Sequence, residues 1–215
     1  MKALIIMAAV ALLISPAVFS QSQATLTEFS GKVEVKAPAG DWKQAAVGTR
    51  VAMGAYISTG FSSTATLDLG TSTLKVAPLT RMQLVDLIAR QGSVSTSLLL
   101  TVGKVHAEVK KVEGVRQSFV LKSPQATAAV RGTEFDFDGL TVNVVNGVVQ
   151  FSNALGQYRN VPAGEGSSTN GTQTPTSGDQ QKDNQVVVVP YTSPTGGGVF
   201  PTAQRQPATV TITWQ

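Results

Sequence analysis

The hydrophobic positions of this chain fall on alternate residues over much of its length. Within residues 63–69, Ala65, Leu67 and Leu69 share one face. Leu74 and Val76 resume the pattern after a turn at residues 70–72. Residues 104–110 set Val105, Ala107 and Val109 on one side, and residues 133–138 do the same with Phe135 and Phe137. Residues 141–145 and 148–151 continue the alternation. Period two is the mark of a half-buried strand. Gly-x-Val recurs at Gly31, Gly92, Gly103 and Gly147, each where a strand starts after a turn. Outside the N-terminus no window carries an apolar stripe at 3.6-residue spacing. Residues 81–90 come nearest, through Met82, Leu84, Val85 and Ile88, and a strand is expected over residues 82–87. The pattern predicts an all-β domain over residues 25–165. Its form would be a β-sandwich or a solenoid-like β-roll of roughly ten to thirteen short strands.

The N-terminus breaks this pattern. Lys2 is followed by an unbroken apolar run from Ala3 to Ile14, then by Pro16. Val18 and Ser20 occupy the −3 and −1 positions before Gln21. These are the parts of a Sec-type signal peptide over residues 1–20, with cleavage expected after Ser20. A second site follows Ala24, with Ser22 at −3. The apolar run falls short of the roughly 20 residues that span a bilayer. No later segment approaches that length, so no membrane span is expected after cleavage. The chain has no cysteine, which excludes a lipoprotein anchor, a disulfide framework and a thiol nucleophile. The expected location is periplasmic or secreted, in a bacterial cell envelope.

Composition changes the picture again beyond residue 165. Residues 166–215 hold four charged side chains, Asp179, Lys182, Asp183 and Arg205, and six of the ten prolines lie at or beyond Pro162. Residues 166–184 read as a flexible linker rich in Ser, Thr, Gly, Gln and Asn. Residues 185–215 read as an extension with two candidate strands, 185–190 and 209–214. The second sets Val210, Ile212 and Trp214 on one face, a possible interaction strand. Over the whole chain only 14% of residues are charged, against about 25% in a typical soluble domain. The net charge is +4, falling to +3 when Lys2 leaves with the signal. The basic residues are scattered apart from Lys110 and Lys111, with no aromatic interleaving, and a nucleic-acid partner is not expected.

Candidate chemistry is sparse. His106 is the single histidine. Alternation turns it outward with Lys104, Glu108 and Lys110, and no motif supplies an orienting acid or a nucleophile. It is read as a solvated surface residue. Glu134, Asp136 and Asp138 share a strand face at steps of about 6–7 Å. Such carboxylates could serve glycoside hydrolysis or hold a hard cation. A strand whose other face is Phe135 and Phe137 shows the same pattern without either role, and the solvated face is the reading adopted. No catalytic residue, metal site or cofactor is assigned. Arg131-Gly132-Thr133-Glu134-Phe135 is the most distinctive segment. Gly132 suggests a tight turn. Arg131 follows small apolar residues, so its guanidinium is expected to be partly buried against Glu134 or turn carbonyls. A glycan-binding alternative needs an exposed aromatic platform, for which Trp42, Tyr56, Tyr158, Tyr191 and Trp214 are the candidates.

These segments, taken in order, resemble the FecR-type periplasmic domain family over roughly residues 31–164. The early pieces are Gly31-Lys-Val-Glu-Val35, Trp42, Val47-Gly48, Gly54-Ala-Tyr-Ile-Ser-Thr-Gly60 and Ala65-Thr-Leu-Asp-Leu-Gly70. Leu74 to Pro78, Gly103 to Val105 and Phe119 to Pro124 follow. Ala128-Ala-Val-Arg-Gly-Thr-Glu-Phe135 is the most specific block, and Val144 to Val149 and Val161 to Gly164 close the pattern. The resemblance implies an all-β periplasmic domain, and with no catalytic constellation among the residues no enzymatic activity is expected. Its best-known members relay an outer-membrane receptor signal to a cytoplasmic sigma factor. Those members carry a cytoplasmic anti-sigma segment and a membrane helix, for which the signal peptide here leaves no room. The expectation is therefore an exported module with an envelope protein partner, an accessory to signalling. A cell-wall glycan is the alternative partner.

Overall fold

The computed structural model describes residues 23–177. The signal peptide, residues 178–184 of the expected linker, and the candidate strands with Val210, Ile212 and Trp214 lie outside the described residues. Seventeen strands follow one another among the described residues, and there is no helix. The first are β1 (Ala24–Ser30), β2 (Val33–Lys36), β3 (Trp42–Gln44), β4 (Arg50–Val51), β5 (Tyr56–Thr59) and β6 (Thr64–Asp68). Next come β7 (Ser72–Val76), β8 (Arg81–Arg90), β9 (Ser93–Val102), β10 (Val105–Val109), β11 (Arg116–Lys122) and β12 (Ala126–Val130). The last are β13 (Glu134–Phe137), β14 (Thr141–Asn146), β15 (Val148–Asn153), β16 (Tyr158–Pro162) and β17 (Gly166–Ser168). The count exceeds the expected ten to thirteen. Strands of two or three residues, such as β3, β4 and β17, are too short for alternation to reveal them.

The strands form two sheets. One has eight strands in the order β17-β14-β13-β10-β7-β6-β1-β4, and the other has nine in the order β16-β15-β12-β11-β9-β8-β5-β2-β3. Both orders run down the chain from the same end. The polypeptide thus advances along the two sheets together, laying strands in one and then crossing to the other. A hairpin laid in the opposite sheet brings the chain back antiparallel, as β8 returns to β5 after β6 and β7. A single strand brings it back parallel, as β11 returns to β9 after β10. The result is a sandwich built with a roll-like progression.

The core lies between the sheets. Leu67, Leu74, Val105, Ala107, Phe135 and Phe137 come from the first sheet, and Leu98, Leu121, Ala128 and Phe151 from the second, all essentially inaccessible. Phe119 meets Phe135 edge to face with ring centroids 6.3 Å apart, and Phe137 meets Phe151 at the same distance. Each of these pairs joins one sheet to the other, and edge-on geometry suits the ring quadrupoles. The inward sets read from alternation are the buried sets of the structure. Residues 81–90 form one strand whose alternation is interrupted by a register shift between Leu84 and Asp86. That shift explains why its apolar spacing resembles a helical turn.

The expected linker begins as part of the body. Gly166–Ser168 pairs antiparallel with Thr141–Asn143 at the edge of the first sheet. Beyond it, Thr169, Gly171 and Pro175 are buried. Asn170 Oδ1 accepts the backbone N–H groups of Thr172 and Gln173. Arg159 donates to the Thr176 carbonyl at 2.8 Å and to Glu165 at 2.5 Å. Ser, Thr and Asn side chains here satisfy a compact irregular backbone. The same composition suits a linker, so the sequence could not separate the two.

Candidate functional site

The Arg131–Phe135 segment carries the chain from the second sheet to the first. Val130 ends β12 and Glu134 opens β13. Gly132 makes the turn with φ +71°, and a Cβ there would lie 2.9 Å from the Lys111 side chain. Thr133 is buried. Its hydroxyl donates to the Val148 carbonyl at 3.1 Å, and its own carbonyl accepts from Val109 N–H at 2.9 Å. The neighbouring crossover at Gly147 packs directly on it. A Cβ at Gly147, where φ is +86°, would sit 2.8 Å from the Gly132 carbonyl oxygen and 2.9 Å from Thr133 Oγ1. Phe135 then drops fully into the core. Gly132 and Thr133 thus serve the stacking of two adjacent crossovers, and Phe135 serves the core.

Arg131 departs from its expected setting. Its side chain is exposed, and it makes no hydrogen bond or ion pair among the described residues. The small residues before it belong to β12, whose outward Ala129 leaves the guanidinium nothing to be buried against. Glu134, its expected partner, faces the other way on the first sheet.

Glu134 instead meets His106. Antiparallel pairing of β10 with β13 sets His106 opposite Asp136 and Glu108 opposite Glu134. His106 Nε2 lies 3.3 Å from Glu134 Oε1, and Nδ1 lies 3.3 Å from Asp136 Oδ1. Lys104 Nζ completes the row, 3.7 Å from Asp136 Oδ2. The histidine is half-buried rather than solvated, and two acids flank it where none was expected. Those acids lie about 30 residues away in sequence and reach it only through strand pairing. A neutral imidazole has one N–H and can donate to one carboxylate at a time, because a carboxylate only accepts. Both ring nitrogens face carboxylates. The row, one ion pair between Lys104 and Asp136 and two histidine–carboxylate contacts, lies partly exposed on the outer face of the first sheet, where such contacts are individually worth about 1 kcal/mol or less.

Asp138 has a separate task. Its Oδ1 accepts the backbone N–H of Leu140 at 3.0 Å and of Thr141 at 2.7 Å, closing the hairpin between β13 and β14. The three acids thus share a face as expected, but two hold His106 and the third holds a turn. They do not converge on a common point. No group of His, Asp and Glu able to hold a metal ion occurs among the described residues.

The aromatic candidates do not form one platform. Trp42 lies on the edge strand β3, and the Arg81 guanidinium sits 5.3 Å from its ring centroid, covering one face. Tyr56 is nearby on β5. Tyr158 is 61% exposed but belongs to β16 at the opposite edge of the same sheet. Six strand steps separate it from Tyr56, or about 29 Å. Tyr191 and Trp214 lie outside the described residues. Among the described residues no helix is long and apolar enough to cross a membrane.

Comparison with known proteins agrees with the pattern of motifs. Residues 55–150 match the family model described as FecR protein. Two crystal structures of a candidate anti-sigma factor from Parabacteroides distasonis, at 1.65 and 2.50 Å, are similar at 19% identity and a TM-score of 0.46. The match covers 59% of this chain and 61% of theirs. No curated protein matches. The matched stretch runs from the strand after Gly54 through the stacked crossovers at Gly132 and Gly147 to β15, and residues 55–150 of this chain are a FecR-type domain.

Proposed function

We propose that this chain is an exported, non-catalytic module that binds another protein of the bacterial cell envelope as an accessory to signalling. The FecR match over residues 55–150 carries this reading. Two features support it. The residues that looked most chemical are spent on crossovers, a hairpin and an ion-pair row. The N-terminal pattern of Lys2, an apolar run and Ser20 is that of an export signal. Cleavage after Ser20 leaves β1 whole. Cleavage after Ala24 would remove a residue that is buried and paired with Val51.

The apolar face of Val210, Ile212 and Trp214 suits strand addition to a partner. The test is crosslinking in intact cells, followed by purification of the tagged chain and identification of what accompanies it. A version ending at Ser177 tests the tail. Ending at residue 165, the boundary that composition suggests, would also remove β17. A reproducible envelope protein partner, lost with residues 178–215, is the expected result. A partner kept at full yield by the shortened chain would remove the tail from the mechanism. Retention on cell-wall material with no protein partner would replace the reading with glycan binding. Cell fractionation and sequencing of the mature N-terminus test export and the cleavage site.

A further inference from the structure

Cations gather at the end of the sandwich where β10 crosses to β11 and β12 to β13. Arg90 and Arg116 both pair across from Ser93, on β8 and β11 respectively, so they flank one position of β9. Lys110 and Lys111 open the crossover that leads to Arg116, and Gly132 of the next crossover packs on Lys111. Arg131 precedes that glycine. All five side chains are exposed, and none makes an ion pair among the described residues. Glu113 is the one acid within residues 110–116. Of the other cations, Lys32, Lys104 and Arg159 each have a carboxylate, and Lys36, Lys43, Arg50, Lys75, Arg81 and Lys122 have none among the described residues, so it is the grouping that sets this end apart.

A shallow depression of about 630 Å³ opens beside this cluster on the outer face of the second sheet. Lys111 and Arg131 stand at its rim. Its floor is low because Ser118 and Ala129 are small, and Gln150 and Asn160, paired across β15 and β16, line its side. Val148, 52% exposed, also lines it. Gln117 does not compete for a ligand, since it is bonded to the Lys110 carbonyl and Val112 N–H.

We infer that this surface binds an acidic, extended segment of a protein partner. The inference rests on the protein-binding reading above and specifies the chemistry of the contact. Unpaired cations in a group attract and orient carboxylates. Primary amides both donate and accept, which matches a peptide main chain. An exposed valine gives an aliphatic side chain somewhere to rest. Single-stranded nucleic acid would call for stacking rings, and Phe119, the one aromatic at the depression, is 2% exposed.

The test uses protein purified from cells expressing the full chain. A fluorescent peptide of alternating Glu and Ser is titrated, with a Gln and Ser peptide as control. Single-stranded DNA and anionic vesicles are run in parallel. The Lys111→Glu/Arg131→Glu variant is compared with Lys43→Glu/Arg50→Glu, which changes net charge equally on the far edge strands β3 and β4. The expected result is binding of the Glu peptide only, weakened by salt. The Lys111 and Arg131 reversals should weaken it about tenfold or more, with less than about twofold loss for the far-edge variant. Equal loss in both variants, no preference over the Gln peptide, or equal binding of DNA or vesicles would overturn the inference. Crosslinking separates the two readings. If envelope partners persist at full yield with the Lys111 and Arg131 reversals, this surface is wrong and the protein-binding reading stands. If the wild-type chain captures no envelope protein, that reading fails whatever the peptide does.

Discussion

Replacing Gly147 by alanine should damage this protein far more than the same change at Gly156. Both glycines have left-handed φ, +86° and +81°. An L-residue there costs roughly 1–2 kcal/mol. Around Gly156 nothing lies within 4 Å of an added methyl, so that cost is the whole effect. At Gly147 the methyl would meet the Gly132 carbonyl oxygen at 2.8 Å and Thr133 Oγ1 at 2.9 Å. One obstacle is backbone, so two stacked crossovers must separate, at roughly 1–3 kcal/mol by analogy with overpacking. The Thr133 hydroxyl would lose its bond to Val148, worth about 1 kcal/mol. The Gly147→Ala total is about 3–6 kcal/mol. For a body of this size that is a fall in Tm of roughly 10–20 °C, against roughly 3–6 °C for Gly156→Ala. Thermal melts followed by far-ultraviolet circular dichroism read both. If the two variants melt within about 3 °C of each other, the stacked crossover is not the tight element described.

Three further outcomes follow from the same geometry. Phe135→Ala removes a fully buried ring and its edge-on contact with Phe119, and urea titration should show a loss of about 3–5 kcal/mol. Asp136→Asn, in a partly exposed ion-pair row, should change stability by less than about 1 kcal/mol in the same assay. A chain ending at residue 165 should melt well below one ending at Ser177. The shorter chain lacks the strand at Gly166–Ser168 and the Thr176 carbonyl that accepts from Arg159 and Ser167.

The likeness of residues 81–90 to a helical turn shows how local reading works and where it stops. Alternation fixes which residues face inward within a strand, because successive side chains point to opposite faces. Local sequence was therefore enough to place Leu67, Ala107, Phe135 and Phe137 in the core. It was also enough for the all-β class, the turn at Gly132 and the kinship of the central block. It was not enough for the register shift in β8, which depends on how Leu98 and Ser97 of β9 meet it.

What tertiary structure alone decided is which strands stand side by side. The acids beside His106, the exposure of Arg131, the stacking of Gly147 on Gly132 and the cations around Ser93 all come from strand pairing. Those partners are distant in sequence, and no local periodicity encodes them. The polar stretch after residue 165 makes the same point from the other side. Ser, Thr, Asn and Gly serve equally a chain solvated by water and one whose backbone bonds its own side chains. Only a neighbouring edge, here the one formed by β14, selects between them.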